Sequence, residues 1–375
     1  MQNNDLILKA IILVGGYGTR LRPLTFSKPK PLIEFCNKPT LMHQIEALVN
    51  VGVNEVVLAI NYQPEKLQAF IKETEIKFNI KIKCSKEDSP LGTAGPIGLA
   101  RDLYFNKDVC KENIDYIFVF NADITCSYPL KKLLNFHIEK KAEGTIYTTK
   151  VEDPSKYGVI VSDKATNKII EFIEKPKEYI SNDINAGLYV FSYSFLDRIE
   201  TKQYSIEREV FPKLAKEGKL YSLPLEGFWM DIGQPKDFLK GSMFYLENLS
   251  KDKLFSNNNS NFKINGNVLV DETCQIEEDC VLGPNVVLGK NVKINKGTRI
   301  KNSIVLDNTI IKEYSYIDGS IIGWNNKVGK WVRITGLSIT GEDVSISDEL
   351  SVDSSIIMPN LSIKSNLTPN SKVIF

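Results

Sequence analysis

The chain has 375 residues, which is too long for one ordinary domain and predicts two. Its 47 basic and 46 acidic residues nearly cancel, so net charge gives no reason to expect a nucleic-acid or membrane partner. Six cysteines without a C-x-x-C pair and only two histidines argue against structural zinc and predict reduced thiols in a cytoplasmic protein. No leader-like segment precedes the first predicted strand and no apolar run approaches ~18 residues, so we expect no membrane span.

The first part of the chain, to about residue 240, alternates strand and helix patterns, as is typical of an α/β fold. Apolar runs predict strands at Ala10–Val14, Glu55–Ile60, Tyr116–Phe120 and Gly144–Lys150. Thr40–Val51 has apolar residues at helical spacing, and Gly52 is a plausible helix stop.

The first predicted strand runs into a glycine-rich, basic segment, Gly15 to Pro31. Three glycines let backbone N–H groups approach an anion closely. Four basic residues place positive charge beside them: Arg20, Arg22, Lys28 and Lys30. Because Thr19 and Arg20 follow the last of these glycines, the segment lacks the ending of a P-loop, and Leu21 replaces the third glycine of a dinucleotide fingerprint. The segment predicts a polyphosphate site of another type; a tight turn with incidental charge is the alternative.

Two aspartates each follow an apolar run. Asp123 comes directly after Ile117–Phe120, and Asp231 lies in the string Gly227 to Gly233. A carboxylate at the carboxyl end of a buried strand lies where open α/β sheets bind ligands. Two such aspartates suit one Mg²⁺ ion, although sequence spacing does not establish that they converge. A helix or turn cap is the alternative for Asp123.

A polar stretch at residues 248–262 predicts a linker, and beyond it apolar residues recur every six positions. One series contains Ile264, Val270, Ile276, Leu282, Leu288, Ile294, Ile300 and Leu306. A second contains Val268, Cys274, Cys280, Val286, Val292, Thr298, Ile304, Ile310, Tyr316, Ile322, Val328 and Ile334. This period predicts a hexapeptide β-helix. We therefore expect a catalytic domain at 1–247, the linker at 248–262 and a β-helix at 263–375.

The string Gly15 to Pro31 resembles the signature of sugar-nucleotide pyrophosphorylases (nucleotidyltransferases), which join a nucleoside triphosphate to a sugar 1-phosphate. Over nearly the whole chain, longer strings resemble the eukaryotic-type catalytic β subunits of mannose-1-phosphate guanylyltransferase: Pro90–Pro96, Ser205–Pro212, Phe228–Phe238 and Gly341–Val344. One departure is Ala122, where the family more often has serine. The resemblance implies a Rossmann-like nucleotidyltransferase domain with a mostly parallel sheet, followed by a left-handed parallel β-helix.

The resemblance also implies a Mg²⁺-dependent reaction in which GTP and mannose 1-phosphate give GDP-mannose and pyrophosphate. The GDP-mannose is used for glycosylation and glycoconjugate synthesis. The implied catalytic residues are Arg20, Lys30 and Lys175. The implied nucleotide-binding residues are Leu13, Gly15, Gly16, Gly18, Thr19, Arg20, Lys30, Gly92, Thr93 and Asp123. The implied sugar-binding residues are Gly158, Glu174, Lys175 and Asn185, and the implied metal ligands are Asp123 and Asp231.

Three questions stay open at this point. The nucleotide and sugar could instead be those of ADP-glucose or dTDP-glucose synthesis, because a few hydrogen bonds decide such preferences. A non-catalytic regulatory subunit has the same implied architecture, although the charged residues above argue against it. We also expect homo-oligomers through the β-helix, and a regulatory paralogous subunit is a further candidate partner. Trp324 and Trp331 are candidate exposed contacts, with packing at coil ends as the alternative.

Overall fold

The computed structural model describes residues 6–61, 65–106, 109–110, 112–255, 261–369 and 373–374. The chain forms two compact units. The first contains Met1–Gly16 and Leu41–Trp229, and the second contains Tyr17–Thr40 and Met230–Phe375. The centre of the predicted linker, residues 256–260, lies outside the described residues.

The α/β part of the chain contains thirteen strands and seven α-helices among the described residues. The strands are β1 Leu8–Val14, β2 Glu34–Phe35, β3 Lys38–Pro39, β4 Glu55–Ile60, β5 Lys81–Lys86, β6 Tyr116–Asn121, β7 Ile124–Cys126, β8 Gly144–Lys150, β9 Gly158–Ser162, β10 Ile169–Glu174, β11 Asp183–Ser192, β12 Leu220–Pro224 and β13 Trp229–Asp231. The helices are α1 Leu24–Ser27, α2 Thr40–Val51, α3 Glu65–Phe78, α4 Gly95–Ala100, α5 Leu130–Lys140, α6 Phe211–Lys216 and α7 Pro235–Asn248.

A nine-stranded sheet organises the first unit. Its main path runs β10-β9-β11-β6-β1-β4-β5, and β8 and β12 extend it beside β11. Strands β6, β1, β4 and β5 are parallel, whereas β11 runs antiparallel to β6. The chain adds β4 and β5 on one side of β1 and then places β6 on the other. The carboxyl ends of β1 and β6 therefore form a topological switch point, where open α/β sheets bind ligands.

The predicted elements of this unit are confirmed. Strands β4 and β8 and helix α2 have the predicted bounds, while β1 begins two residues earlier and β6 ends one residue later than predicted. The apolar runs are buried because helices cover both faces of a parallel sheet; Ile11, Val57 and Val119, for example, are fully buried in one core cluster.

The C-terminal part of the second unit consists of short parallel strands stacked into three sheets, consistent with a left-handed β-helix. One sheet is β14 Lys263–Ile264, β17 Val281–Leu282, β20 Arg299–Lys301, β23 Tyr316–Asp318, β26 Arg333–Thr335 and β29 Ser351–Asp353. The second is β15 Val268–Val270, β18 Val286–Leu288, β21 Ser303–Val305, β24 Ile321–Ile322, β27 Ile339–Thr340, β30 Ile356–Ile357 and β32 Val373–Ile374. The third is β16 Gln275–Ile276, β19 Lys293–Ile294, β22 Ile310–Ile311, β25 Lys327–Val328, β28 Ser345–Ile346 and β31 Ser362–Ile363.

The predicted six-residue series shift register along the β-helix. Val281 pairs with Arg299, 18 residues on, whereas Arg299 pairs with Tyr316, only 17 residues on. A coil that is one residue short moves the inward-facing positions back by one. The first series therefore continues at Ile311 and Ile317, one position earlier than its six-residue period gives, and both are buried in the core. Ile310 and Tyr316, which were predicted for the second series, are only half-buried.

The second sheet of the β-helix also carries apolar residues on its outer face. Val287, Ile304, Ile321 and Ile339 occupy paired positions of successive strands, and all four are buried. They cluster with Ile33 and Phe35, which follow the glycine-rich segment, and with Phe238 of α7. Within the second unit, residues 17–40 and α7 therefore cover this apolar stripe, which would otherwise face water.

The two tryptophans of the β-helix differ in exposure. The prediction that Trp324 is exposed is wrong: it is 2% exposed and belongs to the cluster that contains Ile33 and Phe35. Trp331 is 60% exposed and stacks on Tyr314 with ring centroids 4.5 Å apart. All six cysteines carry free thiols. In the described part of the chain, no helix is both long enough and apolar enough to cross a membrane.

Candidate active site

In the first unit, Gly15, Gly16 and Asp123 lie at the switch point of the sheet, just after the carboxyl ends of β1 and β6. Leu13 of β1 pairs with Asn121 of β6, and the Ala122 N–H donates to the Leu13 carbonyl at 3.2 Å. Gly15 and Gly16, which follow β1, are exposed, and Gly16 has a φ of +93°. Backbone N–H groups that emerge beside a carboxylate at this edge can bind phosphate and a metal ion together.

A buried side chain holds the turn that carries Asp123. The Gln44 amide nitrogen donates to the Asn121 carbonyl at 2.9 Å and to the Ile124 carbonyl at 3.1 Å, so it brackets Asp123 on both sides. Gln44 is fully buried in α2. Gln44 is not among the predicted site residues, because a glutamine within an amphipathic helix pattern gives no local signal of such a role.

The base loop, Leu91 to Pro96, contains the predicted nucleotide-binding residues Gly92 and Thr93 and is held against residues 204–207. Gly92 has a φ of +77°, and an added Cβ would lie 2.3 Å from the Tyr204 carbonyl oxygen. Glycine at this position is thus required by the close approach of another backbone segment. The Thr93 hydroxyl donates to Glu207 Oε2 at 2.5 Å and accepts from the Ile206 N–H at 3.0 Å.

Three of the four predicted sugar-binding residues lie on one antiparallel strand pair. Glu174 of β10 pairs with Gly158 of β9, and an added Cβ on Gly158 would approach Glu174 Oε2 to 2.9 Å. The Lys175 ammonium lies 3.5 Å from Glu174 Oε1 and is more than half exposed. The Lys175 backbone is in the left-handed region, with a φ of +49°, and its N–H donates to the Tyr157 carbonyl. Such strained backbone at a non-glycine residue is concentrated at functional sites.

The fourth predicted residue, Asn185 of β11, is held by its own neighbours. Its amide nitrogen donates to the Tyr189 hydroxyl at 2.8 Å, and its oxygen accepts from the Gly187 N–H at 2.9 Å. Ile184 pairs with Val159, so Asn185 lies beside the β9–β10 pair.

Burial and a neighbouring carboxylate perturb the acidic groups of this region. Desolvation raises the pKa of Glu174, and the negative charge of Glu207 raises it further, while Lys175 opposes both. Burial also raises the pKa of Glu87, which lies just beyond β5 and accepts from the Leu91 N–H. Neither Glu87 nor Glu207 is among the predicted site residues. Glu207 lies in the string Ser205–Pro212, which could have suggested it, whereas no such string contains Glu87. Perturbed carboxyl groups mark candidate functional sites.

In the second unit, Arg20 and Asp231 lie beside the same glycine. An added Cβ on Gly233 would lie 2.8 Å from Asp231 Oδ1 and 3.0 Å from Arg20 Nη2. Asp231 Oδ1 also accepts from the Gly233 N–H at 2.9 Å. The unit therefore brings together one predicted phosphate-binding cation and one predicted metal ligand, at the end of β13.

Gly18 and Lys30 are also neighbours in the second unit. Gly18 has a φ of +64°, and an added Cβ would lie 3.0 Å from Lys30 Cβ. The Gly18 carbonyl accepts from the Thr25 hydroxyl at 2.9 Å, which closes the turn that contains Thr19 and Arg20. Arg20 and Lys30 therefore belong to one compact loop, residues 18–30, which is closed by the contacts of Gly18. Because Asp123 and Asp231 belong to different units, their convergence on one ion stays a prediction.

The part of the chain that the structure describes holds no cluster of three or more His, Cys, Asp or Glu side chains able to bind a metal. Two carboxylates supplemented by phosphate oxygens and water are the usual arrangement for Mg²⁺, which keeps several waters and binds through substrate phosphates. Asp123 and Asp231 each offer the hard carboxylate oxygens that such an ion prefers.

Comparison with known proteins decides the family. The Nucleotidyl transferase family model matches residues 9–248, and the GMPPB C-terminal domain model matches residues 264–374. Mannose-1-phosphate guanylyltransferase 1 of Arabidopsis thaliana is 50% identical over 360 residues, which cover 96% of this chain and 98% of the relative. The chain belongs to the mannose-1-phosphate guanylyltransferase family of nucleotidyltransferases.

Other members of the family match equally fully. The mannose-1-phosphate guanylyltransferase catalytic subunit beta of Dictyostelium discoideum is 50% identical, and that of Xenopus tropicalis is 48% identical; each alignment covers 98% of this chain and 100% of the relative. A solved Bacillus anthracis structure, named as a glucose-1-phosphate thymidylyltransferase, covers 62% of this chain at 22% identity with a TM-score of 0.52. That likeness concerns the fold alone. Nucleotidyltransferases of this family generally use a divalent metal ion.

Proposed function

We propose that this chain transfers the GMP group of GTP to mannose 1-phosphate, releasing pyrophosphate and forming GDP-mannose. The observation that carries the proposal is the alignment of 96–98% of the chain, at 48–50% identity, with relatives named mannose-1-phosphate guanylyltransferase. The grouping of Glu174, Lys175 and Gly158 at one strand pair supports it.

The chemistry is a single displacement. An oxygen of the mannose 1-phosphate attacks the α-phosphorus of GTP, a new P–O bond forms, and the bond to the β-phosphate oxygen breaks. The attacking oxygen already carries negative charge, so no general base is needed. The main obstacle is repulsion between the attacking sugar phosphate, a monoester that carries about −1.5 to −2 charges, and the negatively charged triphosphate. Catalysis therefore rests on positioning and charge neutralisation.

Three cations supply that neutralisation in the proposal. Arg20 and Lys30 bind the triphosphate and offset the charge that develops on the leaving pyrophosphate. Lys175, whose exposed ammonium is next to Glu174, binds the attacking sugar phosphate. A fixed cation aimed at developing charge stabilises a transition state without reorganisation.

The remaining contacts select the substrates. Glu174 and Asn185 accept and donate hydrogen bonds to sugar hydroxyls beside Gly158. Residues 91–95, together with Gly15 and Gly16, lie against the nucleotide. Small residues let the purine approach the backbone, whose N–H and C=O groups read its edge.

We assign Mg²⁺ as the metal ion and Asp123 and Asp231 as the residues that would hold it. Their hard carboxylate oxygens suit this ion. When bound, Mg²⁺ offsets phosphate charge and helps to orient the phosphates.

Two relatives are named catalytic subunit beta, a name that implies a second, regulatory subunit. This supports a regulatory partner subunit for this chain as well. We also propose that the β-helix mediates self-association. Trp331 and Tyr314 are exposed aromatic groups on its surface that suit this role.

The test is pyrophosphate release by the purified chain with Mg²⁺, with GTP, ATP, dTTP and UTP each combined with mannose 1-phosphate and glucose 1-phosphate. Release confined to GTP with mannose 1-phosphate is expected. Release with another pair would keep the chemistry and overturn the substrate assignment. Nucleotide binding without release from any pair would contradict catalysis and favour a regulatory role.

A further inference from the structure

A buried tryptophan of the β-helix contacts the glycine-rich segment directly. Within the second unit, Trp324 Nε1 donates to Glu34 Oε2 at 2.9 Å. The Lys28 ammonium lies over the Trp324 ring, 4.6 Å from its centroid, and also pairs with Glu34 Oε1. The three side chains form a closed triad (Lys28, Glu34 and Trp324), in which Trp324 satisfies one carboxylate oxygen and Lys28 the other.

The triad encloses the stretch of chain that carries Lys30. Pro29 and Pro31 flank this lysine, and a proline fixes its own φ and restricts the residue before it. The Lys30–Leu32 turn then leads to Ile33, which is fully buried. With Lys28 and Glu34 both fixed by Trp324, the stiff segment between them, which carries Lys30, has little backbone freedom.

A second contact ties the same segment to the β-helix. The Asn37 amide donates to the Leu288 carbonyl at 2.8 Å, and Phe35 packs against Phe238 and Tyr245 of α7. These contacts anchor residues 33–37 independently of Trp324. Loss of the indole N–H should therefore loosen the lysine-bearing stretch without releasing the whole segment.

We propose that Trp324 is a positioning residue of the transferase reaction, acting on Lys30 through Glu34 and Lys28. The β-helix thereby contributes to the triphosphate site in addition to any role in assembly. The kinetic consequence of this inference rests on the proposed function. The restraint of residues 28–34 by Trp324 does not depend on that function.

The first experiment compares Trp324→Phe, Glu34→Gln and the double variant with the parent chain. Phenylalanine keeps the ring beneath Lys28 and the apolar packing but removes the N–H donor. Each single variant loses a hydrogen bond that involves the Glu34 carboxylate. We therefore expect kcat/KM for GTP to fall about tenfold in each, while KM for mannose 1-phosphate is unchanged. The two substitutions interrupt one network, so the double variant should be no worse than the poorer single variant.

Tyr316→Phe is the matched control, because it keeps an aromatic ring of the same β-helix and removes only a donor to a carboxylate, the hydroxyl that bonds Asp318. It should behave as the parent chain does. Equal kcat/KM for GTP in Trp324→Phe and the parent would overturn the proposal. So would a parallel fall for both substrates accompanied by a lower unfolding midpoint, because that pattern indicates only general destabilisation.

Hydrogen exchange of backbone amides separates failure of this inference from failure of the proposed function. Peptides that cover residues 19–35 should exchange faster in Trp324→Phe, whereas peptides of the nine-stranded sheet should not change. This result is expected even if the parent chain releases no pyrophosphate. Unchanged exchange in residues 19–35 would overturn the restraint itself, whatever the activity.

Discussion

The Thr93 hydroxyl donates a hydrogen bond of 2.5 Å to Glu207 Oε2, across 114 positions of the chain. Glu207 also accepts from the Ser205 hydroxyl, and its charge contributes to the raised pKa of Glu174. One carboxylate is thus coupled to both the predicted base loop and the predicted sugar site.

Glu207→Gln should shift the acid limb of the pH profile of kcat/KM for mannose 1-phosphate to lower pH. Desolvation and the Glu207 charge both raise the pKa of Glu174, so removing that charge lowers the pKa and keeps Glu174 ionised in more acidic solution. Arg208→Gln should shift the limb the opposite way, because the Arg208 charge lowers the same pKa. Steady-state rates across the acid range would check both; shifts of the same sign would contradict this electrostatic account.

Lys30→Ala should lower kcat/KM for GTP about a hundredfold, since a lost charge contact to a transition state costs ~3 kcal/mol. Steady-state rates of pyrophosphate release at varied GTP concentration would measure this fall in kcat/KM. Lys290→Ala removes an exposed lysine of the β-helix and serves as the control. Near-normal turnover of Lys30→Ala would remove Lys30 from the catalytic residues.

Gly233→Ala should lower activity about 10- to 100-fold with little change in the unfolding midpoint. The new methyl group would displace Asp231 or Arg20, and misplacement of such groups by about 1 Å costs activity on this scale. The backbone tolerates alanine, because Gly233 does not have a positive φ. Kinetics and thermal unfolding of the same preparation would distinguish the two effects. A large loss of stability with normal activity per folded molecule would contradict the expectation.

Asp123→Asn should raise the Mg²⁺ concentration required for half-maximal activity, because an amide oxygen is a weaker ligand for a hard cation than a carboxylate. Activity measured against Mg²⁺ concentration at saturating substrates checks this. Asn185→Ala, at a predicted sugar contact, should leave the Mg²⁺ requirement unchanged. An identical Mg²⁺ dependence of Asp123→Asn and the parent chain would remove Asp123 from the metal ligands.

His137 should make the free energy of unfolding depend on pH. It is fully buried, bonded to Thr145 and Ser192, and burial lowers its pKa from 6.5 to about 4. Between these values the unfolded chain binds a proton that the folded chain does not, so stability is full above about pH 6.5 and falls as pH is lowered towards 4. Between pH 7 and 5 the loss from this residue is about 2 kcal/mol. Urea unfolding of His137→Gln should show a flatter dependence over that range; an unchanged slope would contradict it.

Much of the fold could be predicted from local patterns. The bounds of Glu55–Ile60 and Thr40–Val51 follow from apolar periodicity, because a buried strand or an amphipathic helix repeats within a few residues. The six-residue period indicated the β-helix in the same way, until coils of 17 residues moved the inward positions. The motif strings also determined the family, since identities of 48–50% extend over nearly the whole chain.

Contacts between distant positions could not be predicted. The Trp324–Glu34 hydrogen bond spans 290 positions, and nothing near Trp324 in the sequence distinguishes it from exposed Trp331. The sequence by itself determined which residues carry charge, where strands and helices form, and the family to which the chain belongs. Only the tertiary structure decided that residues 17–40 pack with the β-helix, and that Glu207 bonds Thr93 and raises the pKa of Glu174. Such pairs arise from the packing of whole elements, which leaves no period along the chain.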